Sequence, residues 1–215
     1  MKNIVVACLV FTFVSAIKCE AQMTEKNLPG EYYLEGVMEV GSGIKLNDDH
    51  TFEMFFSYGS LDKSGKGTWA LKGNTVVLNG GTRPANDFKM VSSKKTNEKG
   101  IAIKVSDPNH DILRYMASTL AGKGFTDTSE SDEDGLIHFD RSSADSIGLL
   151  HTIFSDRICY FDISKNGDNY FEFTIEPCIM NIYCDNLALA VYDDYLEGKH
   201  PLLDPGKNYT YRKSK

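Results

Sequence analysis

Thr51-Phe52-Glu53-Met54-Phe55-Phe56-Ser57-Tyr58 is the stretch on which the fold turns. Phe52, Met54 and Phe56 recur at a period of two, the spacing of one face of an extended strand, while Phe55 puts a bulky group on the opposite face. A strand that is bulky on both sides must meet something besides its own core. The second half of the chain is the expected partner, and a ligand is the alternative.

Outward from this strand, apolar runs at residues 31–37, 44–46, 67–71 and 75–78 are cut by turn signals. The separators are Gly41-Ser42-Gly43, Asn47-Asp48-Asp49, residues 62–66 and Lys72-Gly73-Asn74. Glycine supplies positive φ, and Asn or Asp side chains bond their own backbone, so these read as hairpin loops. No helical period runs through the stretch, which predicts a small antiparallel meander or half-barrel. One more strand is expected around residues 88–91. The polar run Ser92-Ser93-Lys94-Lys95-Thr96-Asn97-Glu98-Lys99 then reads as a linker, with a boundary near Asn97.

Beyond the linker, Ile101-Ala102-Ile103-Lys104-Val105 is a strand ended by Asp107-Pro108-Asn109. Residues 112–122 fit a helical face or a returning strand, and the strand is favoured. Residues 158–163 and 170–175 alternate strictly around Asn166-Gly167, which argues for a hairpin with one buried face. Residues 181–190 and 209–212 supply closing strands, and the sum fits a β-sandwich of seven or eight strands. The expected fold class is therefore all-β. Residues 22–97 form the meander domain and its linker, and residues 98–215 form a sandwich of transthyretin-like or immunoglobulin-like type.

At the start, Lys2, the apolar run of residues 4–14 and the small residues Ser15 and Ala16 read as a secretory signal, with cleavage favoured after Ala21. The apolar run is shorter than the roughly 20 residues a membrane helix needs, and no later stretch approaches that length. The chain is expected in the periplasm or secreted. Lipid attachment at Cys19 is the competing reading, although Lys18 stands where that recognition wants a small residue. The formal net charge of −7 argues against nucleic acid as a partner, because phosphate neutralisation needs an excess of Lys and Arg. Of the mature cysteines, Cys178 and Cys184 close the shortest loop and form the expected disulfide in an oxidising compartment.

Reactive constellations are sparse. Glu130-Ser131-Asp132-Glu133-Asp134-Gly135 imitates half of a calcium loop, but Arg141 falls where the closing acid belongs, so a solvated turn is expected. His50, His110, His138, His151 and His200 lack metal-ligand spacing, and neither a phosphate loop nor a nucleophile elbow is present. No metal or cofactor is expected. Tyr33, Phe55, Tyr58 and Trp69 are the candidate ligand-binding aromatics, since a curled sheet either fills its interior with such rings or lines a pocket with them.

Two resemblances follow from particular residues. Residues 32–42, Asp49-His50-Thr51-Phe52, Ser57-Tyr58-Gly59, Gly65-Lys66-Gly67-Thr68-Trp69 and Val76-Val77-Leu78 resemble the opening of a group of exported bacterial proteins of uncharacterised function. More broadly, a Phe-rich strand followed by Gly-x-Trp is similar to lipocalin-like domains, which implies a role in holding small apolar ligands. The second half resembles the transthyretin-like sandwich, through residues 101–107, Asp134-Gly135-Leu136-Ile137, His200-Pro201-Leu202-Leu203 and Tyr211-Arg212-Lys213-Ser214. Its ring-opening hydrolase branch carries a first-strand His where this chain has Lys104, and a Gly where this chain has Lys213. That resemblance implies Lys104, His200 and Arg212 as the hydrolytic set. The expected function is a non-enzymatic exported binding protein for a small ligand or an envelope protein. The alternatives are that hydrolase, or an inhibitor or immunity protein that blocks a secreted enzyme with the acidic loop of residues 127–135.

Overall fold

The computed structural model describes residues 25–215, so the expected signal segment and Cys19 lie outside the described residues. The chain is all-β, and its first five strands form the expected meander. These are β1 (Gly30–Leu34), β2 (Val40–Leu46), β3 (Thr51–Tyr58), β4 (Leu61–Lys72) and β5 (Thr75–Asn79), each antiparallel to the next. The segment 62–66, expected as a loop, is instead the first half of β4. Its Gly and Lys content disguises a strand that pairs with β3 along one edge and accepts, at the Ser64 carbonyl, the Ile182 N–H along the other at 2.7 Å.

A five-strand meander leaves two unpaired edges, which invite association with other chains. Here the last three strands cover them. β14 (Leu187–Val191) pairs with β5, β15 (Tyr195–Gly198) lies between, and β16 (Tyr209–Lys213) pairs with β1, closing an eight-strand barrel. Residues 181–190 and 209–212 were expected to close the sandwich, and the strands that form there, β14 and β16, close the barrel instead. The sheets therefore do not divide near Asn97: the sandwich is inserted between β5 and β14. Local alternation announces a strand without naming its partner, so the insertion has no signature in the sequence.

The inserted sandwich has two four-stranded sheets. One has the order β10 (Leu136–Phe139), β7 (Ile101–Ser106), β13 (Tyr170–Ile175), β6 (Phe88–Lys94). The other has the order β12 (Cys159–Asp162), β11 (Ser146–His151), β8 (Met116–Gly122), β9 (Phe125–Glu130). The hairpin expected around Asn166-Gly167 is not formed. β12 pairs with β11, while β13 pairs with β6 and runs parallel to β7, so the two alternating runs sit in opposite sheets. Both runs were correctly read as one-face-buried, and their buried faces meet across the core, with Phe161 and Phe173 ring centroids 4.8 Å apart. Residues 112–115 fall in a 3-10 turn (His110–Tyr115), and the strand begins only at Met116.

A buried carboxylate fixes the connection between the two units to the sandwich. Asp87, fully buried, accepts hydrogen bonds from Arg83 at 2.7 Å, Arg157 at 2.6 Å and Ser155 at 2.8 Å. Burial alone would raise its pKa, but these bonds outweigh burial and hold the carboxyl below its usual range. The connection leaving β5 is thereby fixed to the loop between β11 and β12.

Candidate functional site

The barrel lumen is filled by its own side chains. Phe52, Met54 and Phe56 of β3 point inward and are 1%, 2% and 4% exposed, packed with Tyr32, Trp69 and Tyr211 among others. Eight strands make a barrel whose interior is just wide enough for side chains to fill. Trp69 belongs to this core: its indole Nε1 donates to the Asn47 carbonyl at 3.0 Å, and its ring packs on His50. It is not a surface available to a ligand.

Tyr33 and Phe55 have the opposite fate. The register Tyr33, Gly43, Phe55, Ser64 runs across the outer face of β1 to β4. Gly43 is what lets the two rings approach, since a Cβ there would lie 2.7 Å from the Phe55 ring and 3.2 Å from the Tyr33 ring. They meet edge-on, with centroids 6.3 Å apart, and each residue stays 44% exposed. One register step along, Glu31, Lys45, Glu53 and Lys66 form a row of alternating charge. The phenol of Tyr33 donates to Glu31 at 2.8 Å, and this bond together with the Glu31 charge raises the Tyr33 pKa. Residues 181–183 supply the far wall, drawn in by the Ser64 contact and by Gly65, where a Cβ would lie 2.7 Å from the Ile182 carbonyl. These groups line a groove of about 1220 Å³. The alternating charges and Tyr183 were not singled out in the sequence, although the parity of β2 and β3 places the first of them on one face; Gly41-Ser42-Gly43, expected as a hairpin loop, lies inside β2.

Tyr58 lies elsewhere, half-exposed at the end of β3, in a separate cleft that also holds Phe56, Leu61 and Lys63. The three residues of the hydrolase reading are not brought together. Lys104 lies on β7 of the sandwich, its Nζ donating to the Asp134 carbonyl at 2.6 Å. Arg212 lies on the outside of the barrel, paired with Glu35 at 3.1 Å and Asp194 at 2.7 Å. His200 is buried under the barrel wall at 2% exposure.

His200 does stand next to a serine. Ser42 Oγ is 3.1 Å from its Nε2, a juxtaposition the sequence did not reveal. The hydrogen bonds fix the roles. His200 Nδ1 accepts the Leu202 N–H at 3.0 Å, so the proton sits on Nε2 and is donated to Ser42, whose own hydroxyl donates to the Phe55 carbonyl at 2.7 Å. A general base needs a free lone pair facing the hydroxyl proton. Here that proton already points at a carbonyl. Burial lowers the His200 pKa to about 4, which keeps the ring neutral. The pair braces the structure and does not activate a nucleophile.

The expected Cys178–Cys184 bridge is not formed. The Cys184 thiol faces the lumen, 3.9 Å from Met54 Sδ, and burial pushes its pKa up to about 12, while Cys178 Sγ faces the Asn86 carbonyl. The acidic turn is held by Asp132, which accepts the Asp134 and Leu136 N–H groups, and among the described residues no three His, Cys, Asp or Glu side chains gather as a metal set. No helix among the described residues is long and apolar enough to cross a membrane. No protein-family model, no curated protein and no solved structure matches this chain.

Proposed function

We propose that the chain is an exported, non-catalytic binding protein that holds an extended polyhydroxylated ligand, of the oligosaccharide class, in the outer groove of its barrel. The observation that carries this reading is the exposed Tyr33 and Phe55 pair beside the Glu31, Lys45, Glu53, Lys66 row. Aromatic rings offer flat apolar area to the C–H faces of a sugar, and charged and amide side chains next to them offer hydrogen bonds to its hydroxyls. A mixed-sign row favours neutral polar ligands over strongly charged ones. The barrel supports a lipocalin-like assignment in shape, with the binding surface moved from lumen to exterior. The four-plus-four sandwich supports a transthyretin-like scaffold, and scaffold alone carries no activity. The hydrolase reading lacks a shared cleft for Lys104, His200 and Arg212.

The test is a thermal-shift screen of the full chain against neutral oligosaccharides, lipids and envelope proteins. A ligand at about 100 times its Kd stabilises by about 2.7 kcal/mol, a shift of several degrees for a chain of this size. The expected result is an oligosaccharide shift that Tyr33→Ala and Phe55→Ala each abolish. A shift that survives both substitutions, or none from any saccharide, rejects the reading.

A further inference from the structure

A second cleft, of about 430 Å³, opens where the mouth of the barrel meets the sandwich. Val40, Phe56 and Leu61 form one wall, and Phe154, Leu202 and Leu203 form the other. Its two lips are preformed by the same device. His151 Nδ1 accepts the Ile153 and Phe154 N–H groups at 3.3 and 3.2 Å, and His200 Nδ1 accepts the Leu202 N–H at 3.0 Å. Loops held in place before binding lower the ordering cost of a complex.

Lys63 also lines this cleft, only 8% exposed. Its Nζ donates to the Ile179 carbonyl at 2.8 Å, and among the described residues no carboxylate lies within ion-pair distance of it. The nearby acids are already committed: Asp87 to Arg83 and Arg157, and Asp156 to Arg83 at 2.5 Å. Three cations therefore face two carboxylates, and the surplus charge is on Lys63. An ammonium out of water without a counter-charge is costly. Burial, and next the positive charge of Arg83, depress its pKa, against a smaller opposing pull from Asp156 and Asp87.

We infer that this cleft binds a small amphipathic carboxylate, with the carboxylate on Lys63 Nζ and the hydrocarbon tail between the walls of Phe56, Leu61, Phe154 and Leu202. A monoanion is specified because Asp156, which with Ser155 and Tyr58 also lines the cleft, is already paired with Arg83 and leaves one positive charge uncompensated, and a tail because most of the lining is apolar. Cavities of this size accommodate small organic ligands. The site is independent of the outer groove.

Titration calorimetry of the full chain with decanoate, decanol and acetate at neutral pH is the test. Decanoate should bind saturably with one site, and decanol, which keeps the tail without charge, and acetate, which keeps the charge without tail, should each bind at least about tenfold more weakly. Lys63→Met should weaken decanoate by a similar factor. Leu202→Trp, which fills the cleft and leaves the ammonium in place, should do the same and serves alone if Lys63→Met does not fold. Tyr33→Ala should leave decanoate binding unchanged, which separates this site from the saccharide groove. The inference is overturned by absent decanoate binding, by decanol binding as tightly, or by full affinity in a folded cleft variant.

Discussion

β3 carries phenylalanine in both directions, and the two sides of the barrel wall use it differently. Inside, Phe52 and Phe56 are sealed at 1% and 4% exposure among neighbours that leave the lumen filled. Outside, Phe55 stays 44% exposed, kept beside Tyr33 by the absence of a side chain at Gly43. The inner face is spent on holding the fold, and the outer face contributes area that folding does not use. A barrel of this width is thus a scaffold for an external surface. The Ser42 and His200 pair teaches the same lesson, since proximity inside the wall serves bracing once each lone pair and proton has a partner.

The largest effect that could break this contrast is Phe52→Ala, expected to cost about 4 kcal/mol in urea unfolding at neutral pH, from lost transfer energy plus the cavity left behind. A cost below about 1 kcal/mol would mean that the lumen is not close-packed. Next comes acid. His200 is neutral when folded and prefers to protonate when unfolded, so its contribution is complete above pH 6.5, falls as pH drops, and is exhausted near pH 4. The difference corresponds to about 3 kcal/mol. His151, whose pKa burial also lowers, acts in the same direction. Asp87, held low by its hydrogen bonds, adds its loss only below about pH 4, so the histidine window stands apart in a stability-against-pH curve. His200→Asn keeps a side-chain acceptor for Leu202 without an ionisable ring and should flatten part of that window. The smallest effect sharpens the contrast most. Phe55→Ala should change unfolding stability by no more than about 0.5 kcal/mol, as for a surface position, and a cost near that of Phe52→Ala would place Phe55 in the folding core.

Much of the barrel was legible because hairpins are local. Thr51 to Tyr58 and Tyr170 to Ile175 are strands with the expected ends, and Gly73 marks the turn between β4 and β5. What failed was pairing. The Asn166-Gly167 signal joined two strands that belong to different sheets, and the strands after residue 187 were given to the wrong unit, because alternation fixes which face is buried and says nothing of the neighbour. Among candidate site residues, Tyr33 and Phe55 fell together because β1 and β3 flank β2 in one meander and Gly43 between them carries no side chain. Lys63 and Asp87 were invisible, since their partners at Ile179 and Arg157 are brought to them only by the insertion.

The barrel seam lies between β1 and β16, the first and last strands of the described chain. A ribosome delivers residues in order, so the inserted sandwich holds all its strands while β1, paired with β2 alone, still waits for its second neighbour. The container is closed last, beside a lodger already formed.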